Sequence, residues 1–248
     1  MFLEVYSGGG NLSRHVRKLG KATVSIDIRH GDWCDIGHAD VFKMLKGWLQ
    51  SGMVWGLWLG TPCNGLTQAR RGPPGSRMPD RLRDRAHLRG LAGLAPKDVE
   101  ALRISNMTTD RGGALQRIAL ARGLPVGVEN PPGSFLWQFP SRQRAAAHPC
   151  TETRAVDYCS CSTPFRARTK LLLWHHRPSP ALDAMHCTGR GTCSFTRQPH
   201  LQLSGATSAG FRTAAKNHYP DILCRRLASA MVSSFAEKKA SRLWNLMR

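Results

Sequence analysis

Short apolar runs alternate with amphipathic segments over the first 130 residues of the chain. The pattern predicts four strands in this part, at 1–7, 22–28, 53–60 and 125–131. It predicts helices at 11–20, at 39–52 and, with an interruption, at 95–123. Strands that are apolar on both faces and alternate with helices indicate a parallel sheet covered on two sides. This half is therefore predicted to be α/β and doubly wound.

The pattern changes after residue 139. Cysteines, histidines and prolines accumulate, and only 169–176, TKLLLWHH, keeps a clear strand pattern. We expect 140–205 to form a looser, irregular, strand-rich segment that contains Cys and His. Residues 212–247 are predicted to form one or two closing helices, which Pro220 separates.

Charge points to the class of partner. Lys and Arg number 36 against 16 Asp and Glu, which gives a net charge of +20 at pH 7. Such an excess on a chain of 248 residues with 41% hydrophobic content indicates a folded body with a polyanionic partner. Nucleic acid is the first candidate. A membrane surface is the alternative, but the basic residues are spread along the whole chain.

The N-terminus has neither a basic leader nor a long apolar core, and the longest apolar run is too short to cross a bilayer. We therefore expect a soluble, intracellular protein with no membrane partner. In that compartment the eight cysteines are expected to be thiols, metal ligands or a nucleophile.

Candidate binding residues follow the predicted strands. The first strand leads into SGGGN at 7–11, and Asp27 ends the second strand about twenty residues later. Glycines before a helix let the backbone approach a ligand, and an acid at this spacing suits ribose hydroxyls. We expect a nucleoside-containing cofactor here, with Asp40 as a third contact. The alternative is ordinary turn glycines and helix-capping aspartates.

Two later strand ends carry chemistry, because Cys63 follows the third predicted strand and Glu129 follows the fourth. At this point the chain resembles the DNA cytosine-5 methyltransferases. The matching motifs, in the family's order, are EVYSGGGN at 4–11, Asp27, TPC at 61–63, ENP at 129–131 and PFRAR at 164–168. The resemblance covers about residues 3 to 170, and its specificity lies in the order and spacing of the motifs.

The resemblance implies a Rossmann-like class I methyltransferase fold that binds S-adenosyl-L-methionine. Implied cofactor contacts are Tyr6, Ser7, Gly8, Gly10, Asp27, Ile28, Asp40 and Pro62. Implied nucleic-acid contacts are Asn64, Arg70, Arg71, Asn130 and Pro131. Implied catalytic residues are Cys63, Glu129, Arg166 and Arg168.

In that chemistry the Cys63 thiolate adds to C6 of cytosine and makes C5 nucleophilic. Glu129 holds the ring near N3 and N4, while Arg166 or Arg168 orients the ring oxygen and favours the thiolate. The target base must be flipped out of a duplex or already be single-stranded. The loop at 64–90 would close over the phosphates with Arg70, Arg71, Arg77, Arg81 and Arg83.

The chain departs from the family in three places. Asn64 stands where a Gln follows the nucleophile, Asn11 replaces a glycine, and Pro164 replaces a Gln. These substitutions leave the reacting groups in place but affect loop closure and substrate preference. The usual signature of the last cofactor-binding motif is absent from 211–231.

A second set of residues suits zinc. Cys159, Cys161, Cys187, Cys193 and His200 offer enough thiolate and imidazole for a four-ligand site, although no C-x-x-C knuckle is present. The alternative is buried or loop thiols. The same region is where the resembling enzymes insert their target-recognition segment, and it is short here.

The domain prediction is a cofactor-binding catalytic domain at 1–140, a continuation with a small recognition-like segment at 141–205, and C-terminal helices at 206–248. The predicted function is methylation of cytosine C5 in DNA, and nuclear localisation would follow from the substrate and the charge. Two alternatives stay open: an RNA cytosine-5 methyltransferase, and a degenerate, non-catalytic nucleic-acid-binding module. Methylation of exocyclic amines, which NPPG at 130–133 suggests, is a minor option.

Overall fold

A computed structural model describes residues 1–68, 80–176, 179–203, 206–207, 210–211 and 218–246. The strands are β1 (Phe2–Val5), β2 (Thr23–Ile26), β3 (Gly56–Leu59), β4 (Val126–Asn130), β5 (Thr151–Asp157), β6 (Arg168–Trp174), β7 (Ala206–Thr207) and β8 (Gly210–Phe211). The α-helices are α1 (Asn11–Lys18), α2 (Ala39–Ser51), α3 (Pro96–Ala121), α4 (Pro140–Ala146), α5 (Pro180–Asp183) and α6 (Asp221–Leu246). Short 3-10 turns lie at Ile28–His30, Asp32–Cys34, Phe135–Gln138 and Tyr158–Cys161.

Six strands form one sheet in the order β2-β1-β3-β4-β6-β5. The first four are parallel, and β6 runs antiparallel to both of its neighbours. The predicted α/β class with a mostly parallel sheet is confirmed. The chain leaves β1 toward β2 and then returns across β1 to β3. Parallel sheets bind ligands beyond the carboxyl ends of the strands at such a reversal.

Helices cover both faces of the sheet. On one face α2 and α3 pack on alternate side chains of β1 and β3, such as Leu3 and Leu57. On the other face α1 and α6 pack on each other and on Phe2 and Trp58. The strand residues Phe2–Val5 and Gly56–Leu59 are fully buried because each face has its own apolar layer.

Two elements differ from the sequence prediction. Helix α3 is continuous over 26 residues, without the expected interruption. Gly112 allows close packing there, since an added Cβ would lie 3.2 Å from the Arg142 guanidinium and 3.4 Å from the Tyr6 ring. Strand β5 lies within the segment predicted to be loose. It pairs with β6 over seven residues and forms the sheet edge, so its polar sequence shows little strand pattern.

The C-terminal part of the chain supplies one helix among the described residues. Helix α6 begins directly after Pro220 and runs for 26 residues. The short β7–β8 hairpin precedes it. Among the residues that the structure describes, no helix is both long and apolar enough to span a bilayer.

Candidate active site

A cavity of about 520 Å³ lies at the carboxyl edge of the parallel strands. The segments that follow β1, β2, β3 and β4 all contribute to its wall, together with the start of β6 and the residues before α6. Predicted site residues in this wall are Tyr6, Ser7, Gly8, Asp27, Ile28, Pro62, Cys63, Asn64, Glu129, Asn130, Pro131, Arg166 and Arg168. The topology therefore gathers residues that are up to 162 positions apart, from Tyr6 to Arg168.

Some predicted residues lie elsewhere. Asp40 is exposed in the first turn of α2, and neither it nor Gly10 lines the cavity. Arg70, Arg71 and Arg77 lie outside the described residues. Arg81 is exposed.

The structure corrects the expectation that Arg83 contacts phosphates. Its side chain is only 1% exposed. It donates hydrogen bonds to the Leu88 carbonyl at 2.7 Å and to the Ser105 hydroxyl at 2.9 Å. The guanidinium thus anchors the chain before α3 to that helix, and it is not available to a nucleic acid.

Asp27 ties the glycine turn to the end of β2. Its carboxylate accepts hydrogen bonds from the backbone N–H of Gly8 at 2.8 Å and of Arg29 at 3.0 Å. A carboxylate has about four acceptor positions, so further lone pairs remain for a hydroxyl of a bound molecule. The geometry gives Asp27 a structural role and leaves its predicted ribose contact available.

The peptide at the end of β1 has an unusual conformation. Tyr6 has φ +59°, a left-handed conformation that costs a non-glycine residue about 1 kcal/mol. Its hydroxyl donates to the Thr108 carbonyl at 2.7 Å, which anchors the residue to α3. Gly60 lies alongside, and an added Cβ would be 2.8 Å from the Tyr6 carbonyl oxygen and 2.7 Å from the Tyr219 hydroxyl. Only glycine fits there.

The loop that carries Cys63 is held by the end of β4. The Asn130 side chain donates to the Thr61 carbonyl at 2.6 Å, two residues before the cysteine. A tight turn follows, in which Leu66 N–H donates to the Cys63 carbonyl at 2.9 Å. Cys63 itself is partly exposed at the cavity wall. Asn130 therefore sets the position of the loop that carries Cys63 relative to its neighbour Glu129.

Glu129 is oriented by two hydroxyl groups. Thr169 at the start of β6 donates to one carboxylate oxygen, and Tyr219 donates to the other at 2.9 Å. Burial raises the pKa of Tyr219 well above its usual value, and the charge of Glu129 raises it further. Tyr219 consequently stays protonated and donates. The Trp58 indole N–H, at 3.3 Å, and an edge contact between the two rings position the phenol.

Tyr158 lies close to both predicted reacting residues. It is buried and lines the cavity. Burial raises its pKa well above the usual value, and the charge of Glu129 and weaker contributions from Cys224, Cys161 and Cys63 act in the same direction. Tyr158 therefore stays protonated at the cavity wall.

Asn11 has a structural function. Its side-chain amide donates to the Tyr219 carbonyl at 3.1 Å, and its oxygen accepts from Arg14 at 2.9 Å. Asn11 thus fixes the residue that orients Glu129.

Three cavity residues also carry buried polar atoms without a partner among the described residues: Ser7 Oγ, Thr61 Oγ1 and Asn130 Oδ1.

Arg166 and Arg168 border the cavity, but their guanidinium groups both bind Asp157. Arg168 forms two bonds with this carboxylate, at 2.8 and 2.9 Å, and Arg166 Nε forms one at 3.2 Å. Asp157 is completely buried. Burial alone would raise its pKa, but hydrogen bonds from Arg168, the Cys187 N–H and Arg166 lower it below the usual value.

Four side chains form a compact cluster beside these arginines. The ligand atoms of Cys159, Cys187, Cys193 and His200 all lie within 4.8 Å of one another, so the cluster could hold a metal ion. Three of the four are buried. Cys161, also a zinc candidate in the sequence, is buried in the core with α6 and does not belong to the cluster. None of the eight cysteines forms a disulfide.

Local groups favour the thiolate form of two of the three cysteines in this cluster. Burial would raise the pKa of Cys187, but hydrogen bonds from Ser194 lower it to about 6. For Cys193, N–H groups of Thr196 and Phe195 outweigh burial and lower the pKa to about 7. The pKa of Cys159 is raised by burial and by the two neighbouring thiols. We call residues 186–203, which supply three of the four side chains, the Cys/His loop.

Sequence reasoning missed Thr169, Tyr219, Tyr158 and Asp157. Thr169, Tyr158 and Asp157 lie near the motif at 164–168 and Tyr219 lies near no recognised motif, and a single hydroxyl or carboxylate carries no spacing signal by itself. Comparison with protein-family models gives no match for this chain, and comparison with curated proteins gives no match either.

Proposed function

We propose that the protein is an S-adenosyl-L-methionine-dependent methyltransferase that methylates C5 of cytosine in DNA through Cys63. One observation carries the proposal. Cys63, Glu129 and the glycine turn with Asp27 line a single cavity at the topological reversal of the sheet. A nucleophile, a carboxyl group and a nucleoside-type turn are the parts that this reaction requires.

The residues around β1 and β2 fit the cofactor. Asp27 keeps acceptor capacity for ribose hydroxyls, and Ser7 Oγ lacks a partner among the described residues. Ile28 offers an exposed apolar side chain at the cavity wall, 66% accessible, which suits an adenine ring. When bound, S-adenosyl-L-methionine supplies the methyl group as an electrophile.

Cys63 would act as the nucleophile. Its thiolate forms a bond to C6 of cytosine, and the displaced π electrons make C5 nucleophilic enough to accept a methyl cation equivalent. The proton at C5 then leaves to a base, and the C6–S bond breaks to return the thiolate. The partial exposure of Cys63 leaves the sulfur accessible from the cavity.

Glu129 would hold the pyrimidine during this sequence. Hydrogen bonds from Thr169 and Tyr219 fix both of its oxygens in place. A carboxyl group oriented in this way can bind the N3 and N4 edge and share a proton with N3 as charge develops. Preorganisation means that no reorientation is needed when the base enters.

The proposed nucleic-acid substrate rests on the net charge of the protein and on the position of C5 in a paired base. A net charge of +20 favours a phosphate backbone, and C5 of a paired base cannot reach the cavity unless the base leaves the stack. DNA is the proposed substrate. RNA is chemically equivalent at the base, so the experiment below includes both polymers.

We also propose that Cys159, Cys187, Cys193 and His200 bind one structural zinc ion. Three thiolates and one imidazole match the donor set of structural zinc sites, which are closed and tetrahedral. The three buried thiols are neither oxidised nor surrounded by an apolar core of other residues. A bound cation would favour the deprotonated, ligating form of each thiol.

Trapping with 5-fluorocytosine tests the main proposal. The protein is incubated with cofactor and a DNA or RNA oligonucleotide that contains the fluorinated base, and denaturing gels reveal a covalent adduct. Fluorine blocks loss of the C5 substituent, so attack by Cys63 leaves the polymer attached. Cys150→Ala is the matched control, because Cys150 is exposed and outside the cavity.

We expect an adduct with wild type and Cys150→Ala, and none with Cys63→Ala. An adduct on RNA alone would replace DNA as the substrate. If cofactor binding is confirmed and neither polymer is trapped, the cytosine-5 mechanism is excluded and a non-catalytic binding module remains.

A further inference from the structure

Asp157 joins the candidate metal cluster to the cavity. Its buried carboxylate accepts from Arg168, from Arg166 and from the backbone N–H of Cys187, the last at 2.8 Å. Cys187 is one of the four cluster residues, and Cys159 is only two positions after Asp157. One of the four candidate ligands is therefore hydrogen-bonded to the carboxylate that holds both arginines, and a second follows it closely along the chain.

The two arginines differ in how many of their guanidinium nitrogens already donate hydrogen bonds within the protein. Arg166 uses its three nitrogens, since Nη1 donates to the Gly189 carbonyl at 2.8 Å and Nη2 to the Cys187 carbonyl at 2.7 Å. It therefore holds the Cys/His loop. Arg168 uses Nε and Nη2, and no described residue accepts a hydrogen bond from its Nη1. Its side chain is 37% exposed at the cavity wall. Arg168 is thus the arginine that can face a bound base.

The Cys/His loop has little else to hold its shape. Within residues 186–203 only Cys187 and Cys193 are buried, and both belong to the cluster. Backbone support comes from the bridge between Thr192 and Pro199 and from the bonds of Cys193 N–H to the Gln198 carbonyl and of His200 N–H to the Gly191 carbonyl. A bond from Leu201 N–H to the Pro164 carbonyl connects the loop to another segment. Leu203 is the apolar side chain of this loop that packs against the core, so packing offsets little of the loop's conformational entropy. Metal coordination would supply the missing free energy.

We propose that the metal ion in this cluster positions Arg168, through Asp157, for action on the base bound in the cavity. The inference rests on the proposed function. The ion contacts neither the base nor the cofactor, and Asp157 and Arg166 are positioning residues. Arg168 is the group that touches substrate, at the ring oxygen of the pyrimidine.

Metal binding is tested first, independently of activity. Cobalt(II) replaces zinc in the full-length protein, and the visible bands of tetrahedral cobalt with thiolate ligands are recorded. We expect one cobalt per chain in wild type and in Cys161→Ser, a buried cysteine outside the cluster. Cys193→Ser should lose or shift the bands. A wild-type spectrum without thiolate coordination would overturn the metal site.

Coupling to catalysis is tested with a double-mutant cycle on the rate of adduct formation. Removal of the metal by a chelator should slow wild type about 100-fold, because small misplacement of a catalytic group has effects of that order. Arg168→Ala should cause a similar loss, and removal of the metal from that variant should add less than about threefold. Readdition of zinc should restore wild type but not Arg168→Ala. Arg154→Ala, on β5 and paired with Glu152 and Asp183, is the control and should keep the full metal effect.

The outcomes separate the two proposals. Equal adduct rates with and without metal, or fully additive losses, overturn the positioning role and leave the proposed function intact. Absence of any adduct with zinc-loaded wild type overturns the proposed function, while the cobalt spectrum still decides the metal site. A metal-free protein that loses cofactor affinity in calorimetry would indicate general unfolding and would also overturn a specific role for Arg168.

Discussion

The parallel half of the sheet and the Cys/His loop both border the same cavity, but different forces give them their shape. In the sheet, two apolar layers bury every residue of β1 and β3, and backbone pairing fixes the register. In the Cys/His loop the buried residues are thiols, and polar contacts to Asp157 and Arg166 replace a core. Hydrophobic burial needs no cofactor, whereas a thiol cluster that binds metal, as proposed, would take its stability from the ion. The two regions should therefore respond differently to the same perturbation.

The largest difference in response between the two regions should come from Glu129→Gln. The variant keeps the shape of the side chain but removes the ionisable group, and general acid-base groups contribute about 10²- to 10⁴-fold to rate. We expect a loss of about 1000-fold in single-turnover methyl transfer, with an unchanged cobalt spectrum. Glu152→Gln on β5 is the matched control. A change in metal binding would show that the regions are not separable.

Asp157→Asn should weaken both regions at once, because the Asp157 carboxylate is hydrogen-bonded to both arginines at the cavity and to Cys187 in the Cys/His loop. Two arginines lose their partner, which we expect to cost about 3 kcal/mol in the free energy of unfolding, less than for fully buried charges because both arginines are partly exposed. Urea unfolding measures this loss, and cobalt titration measures the weakened metal affinity. An unaffected cobalt titration would show that Asp157 does not couple the metal cluster to the arginines.

Glu4 lies wholly within the sheet, so its ionisation should make the free energy of unfolding depend on pH through the sheet and not through the Cys/His loop. Burial raises its pKa to about 7, and the bond from Ser13 N–H only partly opposes this. An acid with a raised folded pKa loses stability as pH rises from about 4.5 to about 7, since ionisation is easier in the unfolded chain. Glu4→Gln should therefore be more stable than wild type at pH 8, by on the order of 2–3 kcal/mol, and similar at pH 4.5. Thermal unfolding at both pH values measures it, and a difference that does not change with pH would contradict the sign.

Metal removal should raise amide hydrogen exchange in the Cys/His loop and leave exchange in β1 and β3 nearly unchanged. We expect amide hydrogen exchange in 187–201 to accelerate at least tenfold, about 1.4 kcal/mol of lost local protection, while β1 and β3 change less than twofold. Mass spectrometry of peptides from zinc-loaded and chelated protein gives both values. Equal acceleration in the sheet would mean that the two regions form one cooperative unit.

The smallest expected effect is that of Asn11→Gly, which introduces the glycine found at this position in the enzymes that the sequence resembles. Loss of the bonds to the Tyr219 carbonyl and to Arg14, with a glycine at the start of α1, should cost about 1 kcal/mol. Asn11→Ala separates the two causes, since it loses the bonds without adding backbone freedom. Methyl transfer should fall a few-fold in both variants. Full activity in Asn11→Ala would show that Tyr219 needs no support from this side chain.

The residue pattern predicted the sheet better than the segment that follows it. Strand positions 2–5, 23–26, 56–59 and 126–130 all fall within predicted strands, because apolar runs bounded by turns are a local signal. Strand β5 escaped prediction, since its pairing with β6 stabilises a polar edge sequence. The interruption expected in α3 was wrong, because packing against Tyr6 and Arg142 outweighs local propensity at Gly112.

The sequence by itself determined the alternation of strands and helices, the charge, and the order of the motifs around Cys63 and Glu129. These depend on neighbouring residues along the chain. Only the tertiary structure decided that Thr169 and Tyr219 orient Glu129, that Arg83 is buried, and that His200 rather than Cys161 completes the cluster. Such partners are up to 90 residues apart, as Glu129 and Tyr219 are. Their contact depends on how the sheet brings strand ends together, and no local pattern in the sequence encodes that distance.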